Sequence, residues 1–76
     1  MDIQDFTKKF ATQFEDESID MQPETNFREL PTWDSLTAMC VQTMVLDDYG
    51  VTLSDPDLKN LQTVEDVYNF VANAKQ

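Results

Sequence analysis

Ser35 is the residue best placed to do chemistry in this chain, within the short stretch Asp34-Ser35-Leu36. An acidic residue, then serine, then a long run free of Gly and Pro reads as a helix start. Asp34 is the expected N-cap and Ser35 lies just inside the first turn. Unpaired backbone N–H groups and the positive end of the helix dipole gather there, and near a surface they favour a phosphate by about 0.3–1 kcal/mol. A serine in that position can carry a phosphodiester. It can equally be an ordinary early-helix residue, because three common residues in a row are weak evidence. Other routes to covalent chemistry are few. The chain has no His, which removes the Ser-His and Cys-His nucleophilic pairs, and Cys40 is its single cysteine. One Cys without His gives neither an internal disulfide nor a conventional zinc site and suits a reducing cytosol. No catalytic residue and no metal ligand set is expected, and the chain is not expected to be an enzyme.

The elements that must position Ser35 follow from spacing. With one Gly and three Pro in 76 residues, the chain has little punctuation and much helical potential. Ile3, Phe6, Phe10 and Phe14 recur at three, four and four residues, which predicts a helix over about 2–14 with an aromatic core face. Periodicity is lost over 15–34, where Pro23 and Pro31 occur among scattered apolar residues. A connection this long in so small a domain is expected to pack across the bundle, anchored by Phe27 and Leu30. A second helix is expected over 35–49, stopped by Gly50, with Ala38, Val41, Val45 and Tyr49 turned to the core. Asp55 as cap and Pro56 in the first turn predict a short helix over 55–60, carrying Leu58 inward. Thr63-Val64-Glu65-Asp66 resembles a capping box and opens a helix over 64–74, whose apolar face is Val64, Val67, Tyr68, Val71 and Ala74. No period-two pattern appears. The expected fold is all-α: a small four-helix bundle of three longer helices and one short helix, forming a single domain. A chain of this size buries only about 60% of the surface its unfolded form exposes, so its core is limited.

Charge narrows the partners. Fifteen Asp and Glu against five Lys and Arg give a formal net charge of −10. Such a surface repels nucleic-acid phosphates and anionic membranes and steers toward basic protein surfaces. No apolar run approaches the length of a membrane span, and the acidic start is unlike a secretory signal, so a cytoplasmic monomer is expected. Acidity also raises the idea of a calcium sensor, but no segment has the Asp-rich, Gly-centred spacing of such a loop.

The ordered set from Pro23 to Val71 resembles the acyl carrier protein family. Its matching features are the Phe27 and Leu30 lead-in, Asp34-Ser35-Leu36 opening the second helix, the acidic-aromatic Asp47-Asp48-Tyr49-Gly50-Val51 closing it, and Thr63-Val64-Glu65-Asp66-Val67-Tyr68 opening the last. Each piece is weak alone, but their order is specific, and with the aromatic first helix the resemblance covers essentially the whole chain. It implies 4′-phosphopantetheine esterified to Ser35, donated from coenzyme A with Mg²⁺ by a phosphopantetheinyl transferase. Acyl or aminoacyl cargo would then ride on the arm as a thioester. The implied partners are that transferase, an acyl- or aminoacyl-loading ligase, and downstream enzymes of fatty acid, lipid or specialised-metabolite biosynthesis. Asp34 would cap the helix and support the transferase or its metal.

Two departures stand out. Pro31-Thr32-Trp33 replaces the Gly that many family members carry shortly before the serine, so entry into the second helix should differ, with Trp33 packed inward. Carriers of the fatty-acid type also display several carboxylates along the exposed face of this helix. Here Thr37, Cys40 and Thr43 occupy that stretch, leaving Asp34 and Asp47 as its acids. Leu36, Met39, Cys40, Thr43, Met44 and Asp47 are therefore the expected docking residues, making a weakly polar face with less charge than is usual. That face favours a specialised pathway over bulk fatty acid synthesis. The competing reading is an unmodified acidic helical interaction module that carries no cargo.

Overall fold

The computed structural model describes residues 2–14 and 19–75. The expectation for residues 15–18, the start of the long connection, lies outside this range. Four helices are present, α1 (Ile3–Ala11), α2 (Ser35–Tyr49), α3 (Asp55–Lys59) and α4 (Val64–Ala74), with a single 3₁₀ turn at Phe27–Glu29. Among the described residues there is no strand, only an isolated antiparallel bridge between Asn26 and Thr63. The architecture is an all-α bundle.

Each helix starts on a side-chain cap that satisfies first-turn N–H groups. Asp2 accepts from Gln4 N at 2.9 Å in α1. In α4, Thr63 and Asp66 satisfy each other's backbone N–H groups in a true capping box, both bonds being 3.1 Å. Ser54, not the expected Asp55, caps α3: its hydroxyl accepts from Asp57 N at 3.3 Å and donates to Asp57 Oδ2 at 2.8 Å. A hydroxyl can do both at once, which a carboxylate cannot. Asp55 becomes the first helical residue. At the far end of α2, Gly50 takes φ 70°, the left-handed conformation that lets its N–H reach Leu46 O at 2.9 Å.

α1 is shorter than the 2–14 expected. Beyond Ala11, Gln13 N and Phe14 N bond three residues back, to Phe10 O and Ala11 O, in a tightened turn. The Thr12 hydroxyl takes Lys9 O at 2.7 Å, and a side chain competing for the carbonyl weakens the α-helical ladder. Phe14 still reaches the core. Ala74 corrects the expected face of α4 in the same way: it is exposed, because the last turn runs past the packed part of the bundle.

The core is aromatic on the α1 side and β-branched on the others. Phe6, Phe10, Phe27, Val41, Val45, Val64, Val67 and Val71 are fully buried. Ring contacts run in a line from Tyr68 to Phe6 (5.6 Å), Phe10 (6.2 Å), Phe27 (5.3 Å) and Trp33 (4.6 Å between centroids). Such pairs contribute about 0.5–1.5 kcal/mol each beyond area burial. This line reaches from α4 through α1 to the residue just before the α2 cap, so it sets where α2 begins.

The long connection is anchored by Phe27, with Leu30 partly buried beside it. It is also tied to the start of α4, because Val64 N bonds Thr25 O, Phe27 N bonds Gln62 O and Glu65 N bonds Pro23 O. The Arg28 guanidinium donates to the carbonyls of Leu58, in α3, and Leu61, just beyond it, tying the connection to the end of α3.

Candidate functional site

Ser35 is exposed as the first residue of α2, and its hydroxyl has no hydrogen-bond partner among the described residues. Two neighbours hold it there. Asp34 accepts from Thr37 N at 2.8 Å, and Asp34 O accepts the first helical bond from Ala38 N at 2.9 Å. Thr37 points inward and donates its hydroxyl to Thr32 O at 3.2 Å. Thr37 is buried, so it is not part of the exposed face expected of it: its hydroxyl is spent closing the turn beneath Ser35.

Asp34 is exposed, and its carboxyl is held below the usual carboxylate range, chiefly by the backbone N–H of Thr37 with a smaller contribution from Leu36. The cap takes the Thr37 N–H, so one of the first-turn donors is closed to an anionic group attached at Ser35, which further positive partners would hold better.

Those partners lie alongside. Ser35 stands on the rim of an open groove of about 600 Å³ between α2, α3 and the lead-in to α2. Trp33, Ala38, Met39 and Leu58 supply its apolar lining, and Arg28 and Lys59 its positive charge. Its two acids are engaged: Asp34 as the cap, and Asp55 by accepting from Gln42 Nε2 at 2.7 Å. Arg28, Gln42, Asp55 and Lys59 were not among the sequence-derived candidates. Part of the signal was there, since Ser35, Ala38, Met39 and Gln42 share a helical face at spacings of three and four. Arg28 and Lys59 arrive from elsewhere in the chain and left no local trace.

Along the rest of α2, Leu36, Met39 and Leu46 are 64%, 59% and 52% exposed. Thr43 and Asp47 are exposed as well, and Cys40 is half-buried. Met44 is the exception among the expected docking residues. At 6% exposure it belongs to the core, and Leu46 takes an outward place instead. The apolar residues of α2 are spread almost evenly around the helix, so their spacing gave little direction. Tertiary packing decided it: Met44 joins the core cluster with Val41 and Val45. The inward face is Thr37, Val41, Met44 and Val45, rotated slightly from the one expected.

No group of three or more potential metal-ligating side chains occurs among the described residues, and no helix is long and apolar enough to cross a membrane.

Comparison with known proteins gives the same reading. The family model described as "Phosphopantetheine attachment site" matches residues 4–71. The acyl carrier protein of Myxococcus xanthus is 33% identical over 58 residues, covering 76% of this chain and 73% of the relative. That of Kocuria rhizophila is 38% identical over 55 residues, 72% of this chain and 68% of the relative. That of Micrococcus luteus is 32% identical over 59 residues, 78% of this chain and 73% of the relative.

Proposed function

Because the chain belongs to the acyl carrier protein family and carries its phosphopantetheine attachment domain, we propose that it holds acyl or aminoacyl intermediates on an arm esterified to Ser35 and presents them to successive biosynthetic enzymes. Members of this family are carriers rather than catalysts. The observation that supports Ser35 as the attachment point is its exposed hydroxyl, without a partner among the described residues, at the head of α2 on the rim of an open groove.

The residues present fit such a group. The Ser35 Oγ is free to attack the diphosphate of coenzyme A, forming a phosphoester and displacing adenosine 3′,5′-bisphosphate. No side chain here is placed to take the hydroxyl proton, so the base comes from the transferase, with Mg²⁺ on the diphosphate. Asp34 keeps the first turn closed, and its side chain is exposed at the head of α2. When bound, the arm supplies a terminal thiol on which cargo is held as a thioester. Tethering then replaces diffusion: a cargo on a short arm is presented to a partner site at roughly millimolar effective concentration.

Leu36, Met39, Cys40, Thr43 and Asp47, joined by Leu46, form the surface that partners would read. Its single acid among apolar and weakly polar residues favours partners with apolar contacts, and so a specialised pathway over bulk fatty acid synthesis. The loading ligase, the transferase and the downstream enzymes would meet the carrier in the cytoplasm.

The test is direct. Incubation with coenzyme A, Mg²⁺ and a broad-range transferase should raise the intact mass by one phosphopantetheine, and Ser35→Ala should abolish the gain completely. An unchanged mass for the native chain, with partners binding regardless of Ser35→Ala, would instead establish an unmodified interaction module.

A further inference from the structure

Two of the chain's five basic residues line the groove beside Ser35, but only two of its fifteen acidic ones do. In a protein of net charge −10, this groove is locally balanced. Its acids are already bonded, Asp34 to Thr37 N and Asp55 to Gln42 Nε2. Its bases have donors to spare. Lys59 is exposed and has no partner among the described residues, so its three ammonium donors are free. Arg28 donates from Nε to Leu61 O and from Nη2 to Leu58 O, which leaves Nη1 uncommitted and fixes the guanidinium in the groove wall. Among the described residues neither base is joined to either acid by a salt bridge.

The interior offers no comparable berth beside it. Trp33 forms the groove wall on the core side and is backed by Phe27 at 4.6 Å and Phe14 at 6.0 Å. An alkyl chain entering the bundle there would have to separate those rings. On the surface it would stay largely wet and gain little.

Resting on Ser35 as the attachment point, we infer that Arg28 and Lys59 form an oxyanion subsite, which draws a negatively charged oxygen group on the arm into the groove in preference to a long alkyl chain. Two sources share this chemistry: the phosphodiester next to Ser35, from which the Asp34 cap withholds the Thr37 N–H, and a carboxylate at the end of a short acyl cargo. Charge-assisted bonds from a fixed guanidinium and a free ammonium suit either.

The experiment loads the full chain with arms bearing a bare thiol, acetyl, succinyl or octanoyl, the acyl groups joined through an amide in place of the hydrolysable thioester. Intact mass is checked first, so that failure to load counts against Ser35 and not against the subsite. Backbone amide shifts at Leu58 and Lys59, the Trp33 indole shift and Tm are then recorded for the native chain and for Lys59→Gln, whose exposed side chain is dispensable for folding. A cargo carboxylate in the subsite predicts that succinyl shifts these resonances and raises Tm by roughly 3 °C over acetyl, with at least half of the rise lost in Lys59→Gln. If the phosphodiester is the occupant, the bare-thiol form already shows the shifts relative to the unloaded protein, and Lys59→Gln removes them. Titrating the unloaded chain with phosphopantetheine against pantetheine reads the same preference without any loading. Octanoyl giving the largest shifts and Tm rise, or Lys59→Gln leaving every response unchanged, would overturn the subsite.

Discussion

In α4 the large apolar residues Val64, Val67 and Val71 are fully buried, whereas α2, packed on the same core, keeps Leu36, Met39 and Leu46 more than half exposed. Full burial of such a side chain is worth about 1.5–3 kcal/mol. α2 therefore forgoes stabilisation that α4 collects. The caps differ in the same sense. Thr63 and Asp66 close on each other, while Asp34 closes the first turn of α2 and leaves the next residue's hydroxyl unengaged. Among the described residues α4 leaves no large apolar side chain exposed, whereas α2 leaves three, an apolar excess that its own packing does not use.

The sharpest way to break this contrast lies within α2 itself. Met44→Ala should destabilise the protein by about 2–5 kcal/mol through a core cavity, whereas Leu46→Ala, two residues along, should change stability by no more than about 0.5 kcal/mol. Denaturant melts of the two variants decide it. Equal effects would mean that the inward and outward faces are not distinct.

A smaller effect compares the caps. Thr63→Ala should cost about 1 kcal/mol by removing the α4 cap, lowering Tm by roughly 4–8 °C in a domain of this size. Asp34→Ser exchanges one good capping residue for another and should leave Tm nearly unchanged. If the carboxylate also serves the transferase, that variant should be loaded several-fold more slowly. Loading at the native rate would leave Asp34 as a cap and nothing more.

The smallest effect is set by pH. Both cap carboxyls are held below their ordinary range in the fold, Asp66 mainly by the N–H groups of Thr63 and Gln62, and Asp34 mainly by that of Thr37. A depressed carboxyl stabilises the fold fully above its unfolded pKa of about 4, and that contribution fades as pH falls through the lower folded value. Stability should therefore be flat from neutral pH to about 5 and decline below about 4. Asp66→Asn should lower the plateau and shallow the decline. A decline of unchanged steepness would assign the acid sensitivity to other groups.

Local signals were legible in the chain, because capping and helical spacing act over three or four residues. Asp34 before Ser35, Thr63 with Asp66, and Gly50 as a stop all announce themselves from their neighbours, and so does the aromatic stripe Phe6, Phe10 and Phe14. The serine that heads α2 could thus be picked out before any packing was known. Where α1 loosens after Ala11, and that Ser54 caps α3, depended on a single hydroxyl choosing between backbone partners. The direction of α2 was hidden for a different reason: a helix apolar on every side has no preferred face until the rest of the bundle packs against it and buries Met44. The groove lay further still from local pattern. Arg28 is brought against α3 by bonds spanning some thirty residues, and only that closure puts its charge and that of Lys59 beside Ser35.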